Sequence, residues 1–151
     1  MAQSLSVVYL HLVFSTKHRY PFLTDAGLRD EMFRFLAYTS NELGCEIKQV
    51  GGMPDHVHIL ARLGRIITQA DWVKELKRTS SIWIKQREPR LSDFAWQLGY
   101  AVFSVSQSQL DKTHRYILLQ EEHHQNLAYQ NELRHLLRRH EIAWDEKYVW
   151  D

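Results

Sequence analysis

Two histidines stand two residues apart in the run Met53-Pro54-Asp55-His56-Val57-His58-Ile59-Leu60. The run is apolar and β-branched and reads as a strand, where side chains alternate. His56 and His58 therefore project from one face while Val57 and Ile59 enter the other. Paired imidazoles can hold a divalent metal. Asp55, just upstream, can ligate as well, or orient one ring through its other nitrogen. A bare His-x-His is also compatible with two solvated histidines on a polar strand face.

A second element lies downstream, in Tyr116-Ile117-Leu118-Leu119-Gln120. Residues four apart on a helix share a face, so the Tyr116 phenol and the Gln120 amide are expected to point the same way. Of the seven tyrosines, only Tyr116 has a glutamine four residues later. Alone, such a tyrosine also fits a helix residue packed on a sheet with its hydroxyl at the rim.

Together these residues resemble the single-tyrosine HUH transposases, the small TnpA-type enzymes that move insertion sequences as single-stranded DNA. The likeness extends to Tyr9-Leu10-His11-Leu12-Val13-Phe14-Ser15-Thr16-Lys17-His18-Arg19, to Gly51 and Gly52 before Met53, and to the segment Gly99–Ser106, and covers roughly residues 5 to 125. The resemblance implies a catalytic Tyr116 and a metal held by His56, His58 and Gln120. It also implies a homodimer with composite active sites, in which the tyrosine helix of one copy completes the metal site of the other.

The implied chemistry is physically coherent. The negative oxygens of a phosphodiester repel nucleophiles, and a divalent ion would neutralise the developing charge and align the ester. Imidazole ligands suit Mn²⁺, while cellular abundance and the resemblance allow Mg²⁺. Tyr116 would attack phosphorus, form a 5′-phosphotyrosine and release a 3′-hydroxyl, storing the ester's energy for rejoining. A phenol of pKa near 10 needs help to do so. Besides the metal, Lys112 and His114 are candidates, although each also fits a solvated helix position. His123 and His124 read as surface residues, because the three-ligand set is complete without them.

The strand's grip on DNA should come from local basic clusters. Lys74, Lys77, Arg78 and Lys85 recur along one helix whose Trp72, Val73, Leu76 and Trp83 pack inward, and the turn Lys17-His18-Arg19 is a second candidate. Bulk charge says nothing here: nineteen Lys and Arg face eighteen Asp and Glu. The partner implied is single-stranded DNA, with or without hairpin ends.

The 151 residues, 44% hydrophobic and 25% charged, fit one soluble globular domain: a core of about 5–125 and a helical extension of about 126–151. The single cysteine, Cys45, excludes an internal disulfide and a cysteine zinc cluster, and reads as a small buried residue. No apolar run reaches the ~18 residues of a membrane span, and the N-terminus lacks the basic region of a secretory signal, so a cytoplasmic location is expected.

The elements that must position these residues follow from pattern. Residues 5–15 read as a strand covered on both faces, with His11 requiring a partner. Thr24 or Asp25 would cap a helix with a Leu28, Met32, Phe35, Leu36, Thr39, Leu43 stripe and Gly44 as its stop. Strands at 45–51 and 55–63, a helix at about 69–87 capped by Thr68, and a loop around 89–93 come next. A strand at 99–104 precedes the tyrosine helix, capped by Ser106 or Ser108, and a last helix begins at Asn126. This order is an α+β fold, the ferredoxin-like split β-α-β sandwich with an antiparallel sheet and appended C-terminal helices. The first strand, if left at an edge, would invite pairing between copies. Three other readings share parts of this pattern: a domesticated relative processing repeated palindromic elements, a non-catalytic single-stranded DNA-binding module, and a small hydrolase using water.

Overall fold

A computed structural model describes residues 2–124 and 127–151; the helix start expected at Asn126 lies outside the described residues. Four strands form one antiparallel sheet: β1 (Tyr9–Ser15), β2 (Glu46–Met53), β3 (His56–Arg62) and β4 (Ala101–Val105), in the order β2-β3-β1-β4. With α1 (Ala26–Glu42) and α2 (Gln69–Arg87) as crossovers, this is the expected split β-α-β sandwich. The first strand begins at Tyr9 rather than near residue 5. It lies inside the sheet between β3 and β4, as its apolar residues on both faces suggest, and the edges are β2 and β4.

Alternation along β1 and β3 sorts their side chains between two layers. Leu10, Leu12 and Phe14 join Val57, Ile59 and Ala61 on one face, where Leu28, Met32 and Leu36 of α1 and Trp72, Val73, Leu76 and Ile84 of α2 cover them. Each fully buried aliphatic or aromatic side chain here contributes about 1.5–3 kcal/mol. Both crossover helices start where their caps allow. Asp25 accepts from Leu28 N at 2.8 Å, while Thr24 turns back to Pro21 O, and Thr68 accepts from Asp71 N at 3.1 Å. Gly44, at φ 81°, follows the end of α1. Cys45 is buried in the same core, as expected.

The opposite face of the sheet carries His11, Val13, His56 and His58. It is covered by α3 (Leu110–Leu118), α4 (Gln120–His123) and α5 (Tyr129–Arg139), with Tyr129, Leu133 and Leu137 of α5 packed on Val13 and Phe103. The extension docks on this body: Trp144, Val149 and Trp150 join that cluster, and Arg134 binds Glu146 in a two-point ion pair at 2.8 and 3.0 Å. Neither serine caps the tyrosine helix. Ser106 and Ser108 hydrogen-bond each other at 3.0 Å, and a short 3-10 turn, Gln107–Gln109, leads into α3. No helix among the described residues is long and apolar enough to cross a membrane.

Candidate active site

β3 runs through the middle of the sheet, which makes its histidines a rigid platform. His56 and His58 are fully buried on the face beneath α3 to α5. Asp55 Oδ1 lies 2.7 Å from His56 Nδ1, so the aspartate orients the ring and sends Nε2 inward. Asp55 is itself pinned through its carbonyl, which accepts from Thr16 N at 2.9 Å. The partner that His11 requires is His58, with His11 Nε2 2.8 Å from His58 Nδ1.

Tyr116 and Gln120 converge on these rings although the helix between them breaks. α3 ends at Leu118, Leu119 adopts φ −98° and ψ 25°, and Gln120 begins α4. Gln120 Oε1 still comes within 3.1 Å of His56 Nε2. The resemblance implies that a partner's helix completes the metal site. In this structure Tyr116 and Gln120 reach histidines of their own chain.

The residue that joins everything is Glu132, on α5. Its Oε1 faces imidazoles: His58 Nε2 at 2.9 Å, His124 Nε2 at 3.0 Å and His56 Nε2 at 3.4 Å. Its Oε2 accepts from the Tyr116 hydroxyl and, at 3.0 Å, from Gln120 Nε2. One carboxylate therefore has one oxygen among the ligand nitrogens and the other on the phenol. The reading of His123 and His124 as surface residues is corrected here. The α4 turn folds both back over the sheet, where His123 stacks on Tyr116 at 4.7 Å and His124 packs against His56 at 4.6 Å.

Burial and charge act against each other in this cluster. Burial opposes charge on Glu132, but the surrounding imidazoles prevail and hold its carboxyl far below the usual range. Burial likewise disfavours the His56 imidazolium, yet Asp55 and Glu132 raise it to about 9. His58 and His11 are pushed down, foremost by burial. Burial, and then the Glu132 charge, push the Tyr116 phenol well above 10, so the hydroxyl keeps its proton until an acceptor takes it.

Four groups offer ligand atoms all within 4.8 Å of one another: His56, His58, His124 and Glu132. A metal fits this set by a direct test. His124 Nε2 is buried and, among the described residues, has no properly aligned hydrogen-bond partner, although Glu132 Oε1 is close. An orphaned buried nitrogen aimed into a carboxylate and two imidazoles is what a cation would satisfy. Gln120 meets the same cluster, its Oε1 3.1 Å from His56 Nε2 and its Nε2 3.0 Å from Glu132 Oε2.

The remaining candidates fall in three places. Lys17 is exposed and Arg19 lies over the Trp150 ring at 5.6 Å, both at the His56 end of β1. Lys112 lines a cavity beside Tyr116. The α2 cations lie on the helix covering the other face of the sheet: Lys77 donates to the carbonyls of Gln97, Leu98 and Gly99, Arg78 binds Glu75, and Lys74 and Lys85 are exposed.

Glu132 was hidden in the sequence. A glutamate on an amphipathic helix reads as solvated, and its one local signal is that it stands beside Leu133 in the stripe Tyr129, Leu133, Leu137.

Comparison with known proteins places the chain in a family and a fold. The sequence profile of the IS200-like transposase family matches residues 4–120. A crystal structure from Deinococcus radiodurans R1, assigned as a transposase, is similar at 26% identity and a TM-score of 0.65, over 80% of this chain and 95% of that one. A REP-associated tyrosine transposase bound to a REP hairpin shares the fold at 14% identity and a TM-score of 0.59, over 82% and 74% of the two chains. No curated protein matches.

Proposed function

The chain belongs to the IS200-like transposase family, and we propose that it cuts and rejoins single-stranded DNA through a covalent 5′-phosphotyrosine on Tyr116, beside a divalent ion. The observation that carries this reading is the divided carboxylate of Glu132, one oxygen on the nucleophile and the other among histidine nitrogens.

His56, His58 and the Gln120 amide oxygen, with Glu132 and His124, would hold the ion. By ligand type, imidazoles with one carboxylate favour Mn²⁺, and Mg²⁺ is the alternative. When bound, the ion supplies positive charge to the phosphate oxygens as the transition state forms.

Tyr116 Oη attacks phosphorus, the bond from phosphorus to O3′ breaks, and the Tyr116 proton passes to Glu132 Oε2, with which it already hydrogen-bonds. The departing 3′-oxygen takes its proton from water. In the return step an incoming 3′-hydroxyl gives its proton to water as its oxygen attacks phosphorus, the bond from phosphorus to Tyr116 Oη breaks, and Glu132 returns the proton to Tyr116. His58 is fixed in orientation by His11, and His56 by Asp55, so neither ring has to search for its position. Pairing of two copies, as in the resembling family, would use the β2 or β4 edge and leave this within-chain arrangement intact. A hairpin in the strand is part of the proposed substrate, since a protein of the same fold holds one.

The test is an incubation of labelled single strands from both flanks of the gene with purified protein and Mn²⁺ or Mg²⁺. The expected product is a denaturation-resistant adduct in the natural protein, absent in Tyr116→Phe and His56→Ala. Binding without an adduct would support a non-catalytic binding module, and cleavage surviving in Tyr116→Phe would support a water-using hydrolase.

A further inference from the structure

Beside Tyr116, on the side away from β2, lies a cavity of ≈ 380 Å³ between β4, α3 and the end of α5. We propose that this cavity holds the nucleotide next to the cleaved phosphate, its phosphate between Lys112 and Arg139 and its base against His140. The inference rests on Tyr116 acting on DNA and adds where the strand sits.

The charge pattern singles the cavity out. Of the three arginines of α5, Arg134 is bound by Glu146 and Arg138 lies over the Trp144 ring at 5.5 Å. Arg139 faces the cavity, as does Lys112 one turn before Tyr116, and among the described residues neither has an ion pair or hydrogen bond. Two uncompensated cations flanking a nucleophile form an anion site, and strands are held chiefly through their phosphates.

The walls suit a base. His140 stacks on Phe103 at 4.4 Å and 26°, and its Nδ1 is fixed on Leu136 O at 2.8 Å, so the ring is held flat against the sheet. Such a plane accepts any base by stacking. The Gln109 side chain lines the same space and can meet base edges. The volume falls in the small-ligand range of about 300–1,000 Å³. Because Tyr116 and His11 form the inner wall, an occupant abuts the nucleophile.

The experiment is an NMR titration of isotope-labelled protein with millimolar 2′-deoxynucleoside 5′-monophosphates, which requires no cleavage. Expected are saturable shifts at Phe103, Ser104, Lys112, Arg139 and His140. In Lys112→Gln/Arg139→Gln, whose side chains are exposed and dispensable for folding, affinity should fall about tenfold or more. Shifts elsewhere, an unchanged affinity in the double variant, or the same response to inorganic phosphate with Phe103 unmoved would overturn the proposal. Val105→Trp, on the His11 side of β4, should fill the cavity and abolish the shifts. The adduct assay is run in parallel: nucleotide binding without adduct leaves the cavity a nucleotide site and removes the transposase chemistry, whereas adduct formation indifferent to the double variant removes the cavity alone.

Discussion

Tyr116 on α3 and Glu132 on α5 are hydrogen-bonded across two helices, sixteen residues apart in sequence. Glu132 belongs to α5, beyond the family match at residues 4–120, so α5 brings a carboxylate to this cluster from outside the matched segment.

If Glu132 takes the tyrosine's proton, Glu132→Gln keeps the side-chain volume and removes the base. Adduct formation should slow by about 10²–10⁴-fold while single-strand binding persists. A time course of adduct formation with the natural protein alongside checks this. A change within threefold would remove Glu132 from the reaction.

His11 meets His58 Nδ1 and stands edge-on to the Tyr116 ring at 6.1 Å. As the side chains stand, His58 Nε2 faces Glu132 and its Nδ1 faces His11; ligation at Nε2 requires Nδ1 to carry the hydrogen and donate it to His11 Nε2. His11→Phe should therefore lower Mn²⁺ affinity by about 10–100-fold, read by calorimetry. Equal affinity in the two proteins would show that His58 does not need this partner.

Gly51 lets the tyrosine helix lie close on β2. A Cβ built there would stand 2.6 Å from Ile117 O and 3.0 Å from Ile117 Cγ2. Gly51→Ala must push α3 outward next to Tyr116, with an expected destabilisation of about 1–3 kcal/mol in urea unfolding and a fall in adduct yield. Unchanged stability and yield together would contradict the close packing.

Lys77 predicts a pH signature. Burial lowers its ammonium from 10.5 to about 8, although three carbonyls receive its hydrogens. Between these values an unfolded chain is protonated at this lysine and the folded protein is not, so stability rises with pH across the window and is flat in this respect below 8. Lys77→Met removes that rise. The melting-temperature difference, natural protein minus variant, should grow from pH 8 to 10.5; tyrosine titration affects both proteins alike and cancels. A constant difference would mean that Lys77 titrates normally.

Much of this arrangement is legible in local pattern. The alternation at 56 to 60 places His56 and His58 on one face because a strand has a period of two, and Thr68 and Asp25 begin their helices because a side-chain oxygen can accept from an N–H three residues on. The four-residue spacing of Tyr116 and Gln120 predicts their convergence, which survives the break at Leu119, where Leu119 N still bonds Arg115 O and His123 N bonds Leu119 O.

Sequence alone determined the elements, their antiparallel order, the histidine pair and the shared face of Tyr116 and Gln120, since each rests on periodicity, capping or short-range spacing. Tertiary structure alone decided that Glu132 and His124 join the cluster and that the α2 cations lie behind the sheet. Those outcomes depend on which helix face meets which sheet face, and the contact between His58 and Glu132, 74 residues apart, leaves no periodic trace in the chain. A glutamate is stabilised when buried only by the imidazoles that surround it, and they come together only once the chain has folded.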